Sequence, residues 1–143
     1  MNVRLPEGLS SRPANAADAG AIYELIAACE LEDDGVVEVV RYEVTVAFER
    51  HGFEPDLNTL LVFDGETLAA WAELYRSRAE ADVRPTHRGR GIGTALLGRR
   101  RKPLAPVAGV YLSGRFGKGG APLARGFRAS RKSHGGGRER PRP

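Results

Sequence analysis

Residues 83–97, VRPTHRGRGIGTALL, place glycines at 89, 91 and 93 and arginines at 88 and 90 directly before an apolar run. Glycine costs about 1 kcal/mol against alanine inside a helix, so a segment built only to be helical would not open this way. Bare backbone leading into a helix does have a chemical use. The first N–H groups of a helix lack carbonyl partners, the helix dipole adds partial positive charge, and glycine lets a ligand approach closely. Arg88 and Arg90 add charge-assisted contacts of the kind that hold phosphate. Arg88-x-x-Gly91-x-Gly93 therefore reads as an anion site. The competing reading is a glycine-rich loop with solvated arginines.

Two better-known phosphate loops do not fit. No Gly-Lys-Ser/Thr is present, which excludes a nucleoside-triphosphatase P-loop. A dinucleotide fold needs its glycines after a first parallel strand and an acid about 20 residues on. Here no acid lies between Asp82 and Glu139.

The elements that would position the loop can be read from the chain before it. LSSRPAN (9–15) reads as a short strand, and Asn15 as an N-cap with Asp18 three residues on. A helix is expected over about 16–31, ended by the EDDG that follows. Residues 36–50 are β-branched, yet Val37, Val40, Val44, Ala47 and Phe48 keep helical spacing, and a helix is expected there too. Two apolar runs flank Asp64-Gly65, a strong hairpin signal. Strands follow near 58–63 and 67–76, then a third at 79–83 with Glu80 and Asp82 on one face and Ala81 and Val83 on the other. A helix begins at about 92. This order is α+β in character.

With these elements in place, Val83-x-Pro85-x-x-Arg88-Gly89-x-Gly91-Ile92-Gly93, then Ala95-Leu96-Leu97, resembles the acetyl-CoA-binding motif of GNAT-type N-acetyltransferases. The resemblance covers about residues 9–97. It implies a mixed, mainly antiparallel sheet flanked by helices, with acetyl-CoA as co-substrate and no metal. Backbone N–H groups across Arg88, Gly89, Arg90, Gly91, Ile92, Gly93 and Thr94 would cradle the CoA pyrophosphate. The Val83 backbone would pair with the pantetheine arm and polarise the acetyl carbonyl. An amine acceptor would attack the thioester directly, which requires a neutral amine and hence a general base.

Carboxylates are the candidate bases near the loop: Glu80 first and Glu73 second, with Asp82 beside them. Each also reads as part of a solvated strand face. Trp71 and Tyr75 share a face with Glu73, as pocket lining or as core. His87 reads as a solvent-facing turn residue, and Cys29 as a core residue with nothing to mark a reactive thiolate. Glu32, Asp33 and Asp34 read as a solvated loop, or as an attraction for a cationic amine.

Composition bounds the rest. At 143 residues the chain holds one domain at most. One cysteine excludes an internal disulfide framework, and the three histidines show no ligand spacing. The N-terminus lacks the apolar run of a signal peptide, and no segment reaches a membrane span, so a cytoplasmic location is expected.

The net charge of +4 conceals an asymmetry. Residues 1–100 carry 11 arginines and 17 acids, a net of −6, whereas 101–143 carry 11 basic residues and one acid, a net of +10. The family pattern breaks after Leu97, where GRRRKP replaces apolar helix positions. The expected organisation is thus a GNAT-like domain over 1–100 and a basic Gly/Pro/Arg-rich tail over 101–143, incomplete or disordered. Within it, APVAGVYLSG (105–114) reads as one strand and Gly126-Phe127 as a weak family echo. The family takes its general acid from a tyrosine on a helix that has no counterpart here. Tyr111, on the expected strand, is not assigned that role.

Two accounts of the tail compete: a basic arm binding nucleic acid with strong salt dependence, or a shift of reading frame near residue 98. The first makes the chain a basic nucleic-acid-binding protein. The second leaves a catalytically impaired CoA-binding remnant. The leading expectation is an N-acetyltransferase with an unidentified amine acceptor.

Overall fold

The structure is a computed structural model that describes residues 3–76, 78–97 and 111–115. Its elements are β1 (Leu9–Arg12), α1 (Ala19–Asp34), α2 (Arg41–Ala47), α3 (Pro55–Asn58), β2 (Thr59–Asp64), β3 (Thr67–Tyr75), β4 (Arg78–Val83), α4 (Ile92–Leu97) and β5 (Tyr111–Arg115). Short 3-10 turns precede α1 (Ala16–Asp18) and α4 (Pro85–His87). The strands form one sheet in sequence order, antiparallel from β1 to β4, with β5 parallel to β4. This is the mixed α+β architecture that the element order implies.

Asn15 caps the start of the α1 region as its residue type requires. Its side chain accepts the Ala17 N–H at 2.9 Å, and Asp18 accepts the Asn15 N–H at 2.8 Å, a reciprocal capping box. Arg12 grips the same Asp18 through two 2.8 Å hydrogen bonds, tying β1 to the turn. α1 runs three residues past the expected end and stops at Gly35, whose φ of +73° is the left-handed C-cap.

β2 and β3 meet in the expected hairpin, displaced by one residue. Asp64 pairs with Thr67, so Gly65 and Glu66 form the turn and Asp64 remains in the strand. A register shift follows: Val62 pairs with Ala70 but Phe63 with Leu68, leaving Ala69 as a bulge. Ala69 and Ala70 therefore both join the cluster beneath Ile92 and Leu96. Leu68 and Trp71 join the opposite cluster, with Ile22, Leu25, Ile26 and Cys29 of α1. The sheet is thus covered on both faces, and the acidic face of β4 lies on the α1 side.

The helix expected over 36–50 is reduced to Arg41–Ala47. Of the residues that carry the helical spacing, Val37 and Val40 are exposed, whereas Val44 and Phe48 pack against the core. α3, not anticipated, opens on Pro55 at its first turn, where a missing N–H costs nothing. Asn58 Nδ2 donates to Leu74 O at 2.7 Å and fastens it to β3. The strand expected over 105–114 is observed at Tyr111–Arg115. Residues 98–110 and 116–143, which hold the GRRRKP break, most of the basic tail and Gly126-Phe127, lie outside the described residues.

Candidate functional site

The glycine loop lies where β4 hands over to α4. Gly89 and Gly91 have φ of +79° and +84°, a region that disfavours side-chain-bearing residues. The Arg88 N–H still bonds to Pro85 O, and the Ala95 N–H to Gly91 O. Between them, every N–H from Gly89 through Thr94 lacks a hydrogen-bond partner among the described residues. Gly89, Arg90, Gly91 and Thr94 are exposed. This is a run of backbone donors without partners, at residues that except for Ile92 and Gly93 are exposed.

The loop side chains are occupied by carboxylates. Arg88 makes a bidentate pair with Asp33 at 2.6 and 2.9 Å, and its Nε donates to Val83 O at 3.1 Å. Arg90 Nη1 donates to Asp64 at 2.7 Å, and His87 Nε2 lies 3.2 Å from the same oxygen. The Arg90 hydrogen bond, with His87 adding to it, holds the Asp64 carboxyl below the usual carboxylate range. Asp33 is therefore not part of a solvated loop. It closes the last turn of α1, where an acid is disfavoured by the helix dipole and a guanidinium restores the balance. His87 is largely buried and paired rather than solvent-facing.

Val83 is the last residue of β4. Arg84 N–H bonds to Ala69 O on the β3 side at 2.8 Å, so strand alternation turns the Val83 N–H to the other edge. That edge faces β5, whose last pairing with β4 is Asp82 with Arg115. Val83 O also accepts from Cys29 Sγ at 3.3 Å. Burial, with the Asp82 charge adding to it, pushes the Cys29 thiol up to about 12. It is an inert core residue, in keeping with its place in the sequence.

On the α1 side of the sheet a cleft of about 160 Å³ opens between α1, α2 and strands β2 to β4. Ile22, Ile26, Val39, Val44, Phe48 and Trp71 form its apolar walls, and Glu43, Glu73, Glu80 and Arg50 bring charge to it. Glu73 and Glu80 are direct cross-strand partners. Arg50 Nη2 lies 2.6 Å from Glu73 Oε2, as an ion pair without a well-directed hydrogen bond. Its guanidinium is fixed over the rings of Phe53 and Tyr75, each 4.5 Å away. Glu80 pairs with Arg78. Burial pushes the Glu73 carboxyl above its ordinary range, Arg50 opposing and Glu80 reinforcing. The solvated-face reading thus fails for Glu73 and for Asp82, which are both buried. Asp82 accepts the Trp71 indole N–H at 3.1 Å. Trp71 lines the cleft, whereas Tyr75 turns its hydroxyl to His51 O.

Arg50 and Glu30 are not among the candidates, and Asp33 is read there without its pairing to Arg88. Their partners lie 23, 8–9 and 55 residues away, and no local spacing marks such pairs. Among the described residues no cluster could hold a metal ion, and no helix is long and apolar enough to cross a membrane.

The sheet order, the flanking helices and the strand–loop–helix step define a GNAT-type N-acetyltransferase fold. Solved structures show the same likeness. A GCN5-related N-acetyltransferase from Sphaerobacter thermophilus is 34% identical, with a TM-score of 0.53 over 64% of this chain and 30% of that one. A GNAT-family acetyltransferase from Streptococcus pneumoniae shares the fold at 18% identity, with a TM-score of 0.50 over 62% of each chain. The chain thus spans less than two thirds of either protein. No family model and no curated protein matches the sequence.

Proposed function

We propose that this chain is an acetyltransferase that takes an acetyl group from acetyl-CoA and passes it to an amine. The observation that carries the reading is the row of unpartnered N–H groups from Gly89 through Thr94 at the end of β4. Backbone donors of this kind suit a pyrophosphate better than any single side chain, because they need no reorganisation. The likeness to the Sphaerobacter thermophilus acetyltransferase supports the same assignment. Acetyl-CoA supplies an activated thioester.

The protein's own groups then divide the work. The loop 88–94 holds the pyrophosphate, with Arg88 and Arg90 stiffening it through Asp33 and Asp64. The Val83 N–H polarises the acyl carbonyl. In the cleft, Glu80 or Glu73 takes the proton from the incoming ammonium, leaving the neutral amine that attacks. The carboxylates and apolar walls favour a cationic amine on an aliphatic stem over an anionic acceptor.

Calorimetric titration with acetyl-CoA tests the reading. Saturable binding is expected for the wild-type chain, and its loss in Gly91→Glu, which places a strained, negatively charged residue in the cradle. Absent binding, or binding indifferent to that substitution, defeats the proposal. Turnover with a panel of amines then separates an enzyme from a chain that only holds CoA.

A further inference from the structure

The segment joining α1 to α2 has a one-sided anchor. Residues 36–40 adopt no regular structure, so their backbone donors need partners from elsewhere. Apolar burial does little to hold the segment. Val36, Val37 and Val40 are 54%, 40% and 52% exposed, and only Val39 points inward. Beneath it lies Glu30, on the inner face of α1 and 1% exposed. A carboxylate so placed is costly unless hydrogen-bonded. Its Oε2 accepts the N–H of Glu38 at 2.7 Å and of Val39 at 2.8 Å.

Val39 forms part of the cleft wall, and Val40 is the N-cap of α2, which brings Glu43, Val44 and Phe48 to the same cleft. Val40 offers no side-chain cap of its own. The position of this wall therefore depends on the Glu30 carboxylate. We propose that Glu30 is a positioning residue that sets the acceptor side of the cleft and so tunes which amines it takes. Its role toward the acceptor rests on the proposed function above; its role as an anchor does not.

Glu30→Ala and Glu30→Gln in the full chain test it by two readouts. The first is hydrogen exchange at the Glu38 and Val39 amides. Losing a hydrogen bond to a charged group should raise their exchange about tenfold or more in Glu30→Ala, with the amides of β2 and β3 unchanged. Glu30→Gln keeps a neutral acceptor and should fall between; it reads the same amides if the alanine variant does not fold.

The second readout is kinetic. KM for the amine should rise about tenfold in Glu30→Ala while KM for acetyl-CoA stays put, with Glu30→Gln recovering most of the loss. Wild-type exchange at both amides in both variants overturns the anchor. A parallel rise of both KM values overturns the acceptor role. If the wild-type chain acetylates no amine, the proposed function fails and the acceptor role with it, while the exchange rates still decide the anchor.

Discussion

Glu73 and Glu80 face each other across β3 and β4, where like charges destabilise a ladder unless each finds a cation. Arg50 supplies one to Glu73 and Arg78 one to Glu80. The two carboxylates nevertheless differ. Glu73 is the more buried, and burial raises its proton affinity, the direction that suits a general base. Replacing the base by its amide should lower kcat/KM by about 100-fold or more. Glu73→Gln and Glu80→Gln, assayed across pH, distinguish the two. If Glu73 is the base, wild-type kcat/KM falls as pH drops through its raised value, and Glu73→Gln abolishes that acid limb while Glu80→Gln keeps it. The reverse outcome gives the role to Glu80.

At the scale of elements, the loop is held by pieces distant in sequence. Asp33 lies in the last turn of α1, Asp64 ends β2, and each grips one loop arginine. Asp33→Asn should leave the sheet intact yet remove the ion pair of Arg88, leaving it only the Val83 O contact, and a slackened cradle should bind acetyl-CoA roughly 10-fold more weakly. Calorimetry alongside thermal melting checks it, and an unchanged affinity would show that the clamp is incidental. Much of this scaffold is legible in the sequence. Asn15 with Asp18, Asp64-Gly65 and the glycines at 89 and 91 act through local backbone chemistry, which spacing reports directly. Two kinds of feature were not legible. The spacing over 36–50 reports the helix Arg41–Ala47 but overstates its length, because periodicity cannot tell the exposed Val37 and Val40 from the part-buried Val44 and Phe48. The Arg88–Asp33, Arg50–Glu73 and Glu30 contacts depend on how the chain closes in space, which no local spacing reports.

For the molecule as a whole, the paired and buried acids pull its pH dependence in opposite directions. Arg12 holds Asp18, and Arg90 holds Asp64, below the ordinary carboxylate range. Each contributes stability that is present above its unfolded value of 3.8 and lost as pH falls through its lower folded value. Glu73 has the opposite sign. Its folded value lies above 4.5, so the folded state binds the proton more tightly, and ionising Glu73 costs stability. That cost is fully present above the folded value and is relieved as pH falls through it toward 4.5. Descending from neutrality, the Glu73 contribution should therefore first stabilise the fold, and the Asp18 and Asp64 contributions should then weaken it below about pH 4. Urea midpoints measured at intervals between neutral and acid pH check both limbs. Glu73→Gln should flatten the upper limb and leave the lower one, whereas Asp18→Asn should flatten the lower limb only. A Glu73→Gln profile parallel to wild type above pH 4.5 would mean that Arg50 outweighs burial at this carboxylate. The cleft would then hold Glu73 as a fixed anion, and the role of base would pass to Glu80.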